Sequence, residues 1–426
     1  MPDRILVVGT GMIGSTLVRA LQTILPKAQI LWVGAENNKP NPEAGRDARV
    51  IACAPSSRKL FEDLGVWQKL PQDRVGPYIR MSVWDYDGTG QVDFSADELS
   101  TTKDSEAGER QRASLGHIIE NSVLLEALEK SIDESDVAVE RHIPAKVEGI
   151  ETLESGEIRV RLESGVELLA DMVCAADGAN SQLRDWIGLS TKEWSCQQRA
   201  LTAVVSHSSS HQQTAWQAFL PTGPLAFLPL SGTKAGTKAE TKAEAVAETS
   251  AEHRSSIIWS LDLDAVEDIE NLQDADFLKQ INRYIPAELG EAVSVTPRFG
   301  FDLRQKLAQG YYDKRVLLVG DSAHNIHPLA GQGANLGFSD IAELMLQWRR
   351  ASSRGEPVWS DSVLRRYQRQ RRWQNQAMAL SMDVFRQGFG VQEPHLRVLR
   401  NQLMHLMQGQ DRLKRAIAKV ATGSET

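Results

Sequence analysis

Two hydrophobic periods alternate along this chain and divide it. Unbroken apolar runs at 5–8 (ILVV), 30–33 (ILWV) and 316–319 (VLLV) read as strands covered on both faces, as in a parallel sheet. Helical spacing follows the first run through Leu17, Val18, Leu21 and Ile24, and recurs at Leu60, Leu64 and Trp67 and from Ile118 to Leu128. A period of two governs 77–97 (Ile79, Met81, Val83, then Val92, Phe94) and 199–263 (Leu201, Ala203, Val205, then Trp216, Ala218, Leu220), which predicts a separate antiparallel sheet. The segment FLPTGPLAFLPL at 219–230 reads as a hairpin turning at Thr222-Gly223-Pro224. Beyond Gly337 the pattern is helical to the end. The expected fold is therefore α/β: a Rossmann-like nucleotide-binding domain, an inserted antiparallel β-sheet domain and C-terminal helices.

The chemistry sits where the covered strands stop. Gly9-Thr10-Gly11-Met12-Ile13-Gly14 places a G-x-G-x-x-G turn between strand and helix, with a second strand following, the dinucleotide-binding pattern whose glycines admit a diphosphate to the helix N-terminus. Glu36 is the nearest carboxylate after the second strand and so the expected ribose acceptor. In 170–188 a short strand ends at Asp177-Gly178, and Ser181 and Arg184 follow; an acid, a hydroxyl and a guanidinium there suit a diphosphate or nucleotide, or else a turn with a helix cap. In 315–337 the strand is stopped by Gly320-Asp321, which aims a carboxylate at ribityl or ribose hydroxyls, and Gly331-Gln332-Gly333 opens a helix from about Ala334. The positive end of that helix favours the charge a reduced flavin carries. Arg49 either reaches a pyrophosphate or flavin edge or is a solvated arginine. His324 and His327 are the nearest titratable groups for a base, but no catalytic residue is assigned, and a histidine that holds the turn is the favoured role.

Composition narrows the rest. With 426 residues, 41% hydrophobic and net charge -8, the chain has room for two to three domains and no basic stripe for nucleic acid. Cys53, Cys174 and Cys196 have no metal-like spacing, so no metal and no disulfide framework is expected. The apolar start is broken by Gly9, Gly11 and Gly14 and is not read as a signal peptide, and no apolar run is long enough to span a bilayer. The expected location is cytoplasmic. The stretch 232–255, with Thr-Lys-Ala three times at a spacing of four, is low in large apolar groups and is expected to be a disordered insertion without chemistry. The last helices carry Leu396, Leu399, Leu403 and Leu406 interleaved with Arg397, Arg400, Arg412 and Lys414. Such a basic amphipathic face either packs on the body or meets a membrane surface or partner, which would make the protein peripheral to the inner membrane.

The three turn motifs, in this order, resemble the FAD-dependent aromatic hydroxylases of the para-hydroxybenzoate hydroxylase type. GHIIENSVLLEAL at 116–128, ADGANSQLR at 176–184, GDSAHNIHPLAGQGANLGFSD at 320–340 and YQRQRRWQNQAM at 367–378 are similar to the ubiquinone-biosynthesis ring hydroxylases within that type, and LGVW at 64–67 and FLPL at 227–230 lean toward the branch acting on the methyl-methoxy-benzoquinol intermediate. The resemblance covers nearly the whole chain and omits the 232–255 insertion. It implies an FAD-binding domain over 1–76, 105–190 and 296–345, a substrate-binding sheet over 77–104 and 191–295, and a helical region over 346–426. It implies FAD contacts at Gly9, Gly11, Gly14, Arg49 and Asn121, a ribityl partner at Asp321 beside Gly320, and an isoalloxazine border at Pro328, Gly331, Gln332 and Gly333. Asp177, Gly178 and Arg184 would serve both FAD and reduced nicotinamide. The implied reaction is ring hydroxylation of a prenylated benzoquinol or phenol with NADH or NADPH and O₂, through a flavin hydroperoxide, alongside other ubiquinone-biosynthesis proteins as partners. A small soluble aromatic substrate, or a low-turnover scaffold role, are the alternatives. The family's usual acid at the end of the second strand is replaced by Gly34.

Overall fold

The structure is a computed structural model that describes residues 3–36, 46–99, 114–231, 253–326, 333–390, 394–410 and 414. Its first layer is a six-stranded sheet in the order Tyr312–Asp313, Val316–Leu318, Met172–Ala175, Arg4–Val8, Gln29–Val33, Val139–His142. All neighbours are parallel except the Tyr312–Asp313 edge, and the register pairs Ile5 with both Ile30 and Met172. The unbroken apolar runs are explained by this burial: helices Met12–Ile24, Asn121–Asp133 and Gly333–Ser353 pack around the sheet, and Ile5, Leu6, Val7, Val173, Leu317 and Leu318 are wholly inaccessible. Because the central strands are parallel, their carboxyl ends lie along one edge. The three motif turns therefore meet.

The second layer is a nine-stranded sheet running from His324–Asn325 through Phe299–Ala308, Thr191–His207, Arg254–Asp262, Gly223–Pro229, Thr214–Leu220 and Arg80–Asp85 to Gln91–Ser95, with Ala292–Val295 off this path. Its strands are antiparallel apart from the parallel pair Thr214–Leu220 and Arg80–Asp85. Period two sorts its faces. Leu201, Ala203 and Val205 join Phe277 and Ile281 under helices Leu263–Glu270 and Asp274–Tyr284, whereas Val204, Ala226 and Leu228 pack on Ala48 and on Ala52 and Ile118 of a small sheet formed by Val50–Cys53, Gly116–Glu120 and Val75–Tyr78. Residues 299–308, grouped above with the first unit, run instead in this larger sheet, beside Thr191–His207. Leu303 and Gln305 alternate inward with exposed Asp302 and Arg304, a half-covered strand rather than a two-sided one.

Helix Asp361–Gly390 runs back along Gly333–Ser353, and helix Pro394–Gln408 closes on the Gln91–Ser95 strand. That last helix is anchored by polar groups. The Arg400 guanidinium pairs with Asp85, only 3% exposed, Asn401 Nδ2 donates to the same carboxylate at 3.1 Å, and Gln408 Oε1 accepts from Asp93 N at 2.8 Å. Arg400 is thus spent on the body of the protein. No helix among the described residues is long and apolar enough to cross a membrane. Of the 232–255 insertion, residues 232–252 lie outside the described residues.

Candidate active site at the carboxyl edge of the parallel sheet

Gly9 and Gly14 make the first turn sterically possible. Gly9 has φ +122°, and a Cβ there would sit 2.1 Å from the Ala176 carbonyl oxygen; a Cβ on Gly14 would sit 2.0 Å from the Gly9 carbonyl oxygen. One glycine lets the ends of strands Arg4–Val8 and Met172–Ala175 touch, and the other lets helix Met12–Ile24 start against the turn. Gly11, the residue preceding that helix, differs: an added Cβ would meet nothing within 4 Å.

The other two turns are bonded to each other. Ser322 Oγ donates to Asp177 Oδ1 at 3.0 Å and accepts from Gly178 N at 3.1 Å, while Arg184 Nη1 donates to the carbonyls of Ser322 and Ala179, each at 3.2 Å. Arg184 is 3% exposed, so its charge lies within this join rather than in solvent. Ser181 caps the short helix Gln182–Trp186 by accepting from Arg184 N at 3.1 Å. Of the two expectations for this segment, these bonds display the turn with a helix cap.

Asp321 stands next to the join with its side chain open to solvent. Although the side chain is exposed, the protein packed on its inner side raises its pKa from the ordinary value; His324 opposes this rise and Asp340 adds to it. Behind it lies a network that sequence reasoning missed. Asp340, with no exposure, accepts on Oδ2 from His324 Nε2 at 2.6 Å and from Gly320 N at 2.9 Å, and on Oδ1 from Arg371 Nε at 2.7 Å. Burial works to raise its pKa, but His324 and Arg371 outweigh it and hold the carboxyl down at about 2. His324 is 2% exposed and tied to that carboxylate, so its role is within the turn. The legible signal was the spacing of Tyr367, Arg371 and Asn375, which puts three polar groups on the buried stripe of helix Asp361–Gly390.

Gly333 starts helix Gly333–Ser353, and a Cβ there would meet nothing within 4 Å. Four residues on, Gly337 packs so tightly that a Cβ would lie 2.5 Å from Ile13 Cδ1, which brings the third glycine segment onto the first. Asn335 fixes the same turn to the small sheet: its Oδ1 accepts from Ala54 N at 3.0 Å and Ser57 Oγ at 2.8 Å, and its Nδ2 donates to Ala52 O at 2.7 Å. His327, Pro328, Gly331 and Gln332 lie outside the described residues.

Arg49 and Asn121 are neighbours through the backbone, Asn121 N donating to Arg49 O at 3.0 Å. The Arg49 side chain is 64% exposed and leans on Asp47 at 3.3 Å. Asn121 Oδ1 is buried and has no partner among the described residues. Nearby Glu120 is clamped by Arg46 at 2.8 Å and by Arg74 at 2.6 Å, and these guanidiniums outweigh burial to keep its carboxyl ionised. Glu36 is exposed, three residues past the end of the second strand. At Gly34 a Cβ would lie 2.7 Å from Thr10 Cγ2, so Thr10 occupies the place a larger residue at Gly34 would need.

FAD fits this arrangement on two observations. Gly11, Gly178 and Gly333 leave backbone uncovered where Cβ atoms would otherwise stand, and Asn121 presents an unpaired buried acceptor. Among the described residues no group of three or more metal-ligating side chains is present.

Known proteins resemble this chain over nearly its whole length. Residues 39–380 match the FAD binding domain family. The chain is 31% identical to 3-demethoxyubiquinol 3-hydroxylase of Escherichia coli K12 over 99% of both chains, and 29% identical to the ubiquinone biosynthesis monooxygenase COQ6, mitochondrial, of Xenopus tropicalis over 93% of this chain and 88% of that one. Among solved structures, Klebsiella pneumoniae HpxO complexed with FAD and uric acid superimposes with a TM-score of 0.72 at 18% identity, covering 99% of this chain and 97% of that one, which is a likeness of fold. The described turns and these matches agree, and the chain belongs to the ubiquinone-biosynthesis flavin hydroxylases, FAD-dependent monooxygenases of the para-hydroxybenzoate hydroxylase type.

Proposed function

We propose that this protein hydroxylates the aromatic ring of a prenylated benzoquinol intermediate of ubiquinone biosynthesis, with NADH or NADPH as electron donor and O₂ as oxidant. The observation that carries the reading is the end-to-end match, over 99% of both chains, to a relative named 3-demethoxyubiquinol 3-hydroxylase. Bound FAD would supply the oxygen chemistry once reduced. The chain's own residues would bind and aim it. Gly9, Gly11 and Gly14 admit the diphosphate to the start of helix Met12–Ile24, Asp321 accepts from the ribityl hydroxyls, and Asn121 Oδ1 and Arg49 lie along the cofactor. Asp177, Gly178 and Arg184 hold the edge at which the nicotinamide would dock. Gly333, and by the family pattern Pro328, Gly331 and Gln332, would border the isoalloxazine. The large sheet, tied to the segment before the small sheet through Thr202 and Ser256, which both donate to Ala48 O, would cover the substrate side and exclude water.

The test is mass spectrometry of lipid extracts from a strain lacking this protein. Loss of ubiquinone with accumulation of a prenylated precursor short of one ring hydroxyl supports the reading, and the precursor's substituents name the carbon. Unchanged ubiquinone, in a strain shown to hold no second hydroxylase, refutes it and moves the substrate to a small soluble aromatic.

A further inference from the structure

Helix Asp361–Gly390 contributes no turn to the site, yet its buried polar stripe ends on the site's backbone. Arg371 Nε reaches Asp340 Oδ1 at 2.7 Å, its Nη2 donates to Leu336 O at 3.2 Å and to Asn375 Oδ1 at 3.0 Å, and its Nη1 bonds Gln374. Asn375 Nδ2 in turn donates to Tyr311 OH at 3.1 Å, and Tyr367 OH donates to Leu318 O at 3.0 Å, at the end of the strand that feeds the turn. A buried ion pair of this kind is poor value for stability, since apolar groups of the same volume often do as well. Its geometry shows what else it does. The far oxygen of the Asp340 carboxylate takes the Gly320 N–H at 2.9 Å, and Gly320, at φ +64°, is the residue that turns the chain into Asp321. Arg371 fixes one oxygen of Asp340 and thereby the direction of the other.

We infer that Arg371, acting through Asp340, is a positioning residue for FAD: it sets the Gly320-Asp321 backbone and so the aim of the Asp321 carboxylate at the cofactor. The C-terminal helix then belongs to the cofactor site without touching the cofactor. The inference rests on the reading of Asp321 as an FAD residue, and the test separates the two.

FAD is titrated into full-length apoprotein, with flavin fluorescence reporting Kd and visible circular dichroism reporting how the bound ring is held, for the wild type, Asp321→Ala, Arg371→Met, and the two combined. Arg371→Met is expected to raise the FAD Kd by about tenfold or more, as loss of an outer partner that orients a ligand does, and to alter the flavin dichroism. Combined with Asp321→Ala it should add little, because the two act through one contact. If Arg371→Met fails to fold, the paired change Asp340→Leu/Arg371→Met removes both charges together and carries the same expectation. Trp348→Phe, in the buried face of the neighbouring helix and outside the network, is the control for general destabilisation and should leave Kd within about threefold. Full multiplication of the Arg371→Met and Asp321→Ala losses, or an unchanged Kd in Arg371→Met, overturns the inference alone. An Asp321→Ala protein that binds FAD as the wild type does overturns both the inference and the reading of Asp321.

Discussion

Restoring the family's acid at Gly34 should harm this protein unless Thr10 is changed with it. In Gly34→Glu the new Cβ stands 2.7 Å from Thr10 Cγ2, where ordinary contact begins at 3.4 Å. Thr10 is 7% exposed and its Oγ1 donates to Ala35 O at 2.8 Å, so its side chain can clear the Cβ only by rotating away from that bond. The lost hydrogen bond costs about 1 kcal/mol and the overpacking about 1–3 kcal/mol, or roughly 2–4 kcal/mol together. Thr10 lies between Gly9 and Gly11, so the displacement passes directly into the diphosphate turn. Gly34→Glu should melt at a lower temperature and bind FAD more weakly than wild type. Thr10→Ala/Gly34→Glu removes both the methyl and the hydroxyl; the 3.2 Å approach to Thr10 N remains and needs a shift of a few tenths of an ångström. This double variant should regain most of the stability, and with a carboxylate at the strand end it should bind FAD about tenfold more tightly than Thr10→Ala alone, the worth of one charge-assisted hydrogen bond. Thermal unfolding and fluorescence titration of the four proteins decide it. A Gly34→Glu protein that is as stable as wild type and binds FAD more tightly without any change at Thr10 refutes the reasoning.

Gly14→Ala places a Cβ 2.0 Å from the Gly9 carbonyl, an overlap backbone cannot absorb, and should yield protein without bound flavin in its absorption spectrum. Burial, with Arg58 adding, holds His117 at about 4, and burial, opposed by the Ser209 carbonyl, holds His207 at about 4, both below the ordinary value of 6.5. Their unfolded forms take up protons first, so stability should fall as pH drops from 6.5 to 4, by at most about 3 kcal/mol for each histidine. Asp340 is likewise shifted down, to about 2, so its contribution is intact above pH 4 and is lost progressively as pH falls from about 4 through 2. Melting curves of wild type and His117→Phe/His207→Gln between pH 7 and 4 should show the flatter slope in the variant. Arg400→Ala leaves Asp85 buried without its guanidinium and should make helix Pro394–Gln408 the first site of limited proteolysis, with FAD affinity unchanged.

What the sequence made legible was local. The runs at 5–8 and 316–319 and the glycines after them specify strand, turn and helix within twenty residues, and parallel pairing then brings the turns together without further information. Period two likewise separated Leu201, Ala203 and Val205 from Thr202 and Val204. Contacts between distant stretches were not legible. YQRQRRWQNQ offers seven arginines and glutamines, of which only Arg371 is buried, and only packing against Gly333–Ser353 selects it to face Asp340. The missing acid at Gly34 could be seen, but not its cause, because Thr10 reaches it across two strand ends. The strand 299–308 was misgrouped for the same reason: its partner, Thr191–His207, lies a hundred residues earlier.

The closing of helix Pro394–Gln408 on Gln91–Ser95 bears on how the molecule is made. That strand is the outer edge of the large sheet, and an unpaired edge is a template for joining another chain. During synthesis the strand leaves the ribosome early, whereas the helix that shields it leaves among the last described elements. The nascent chain must therefore pass most of its translation with one sheet margin uncovered. A stalled or prematurely terminated product would keep that margin open permanently, and the Asp85–Arg400 clasp is the contact that fastens the covering helix to the sheet beside it.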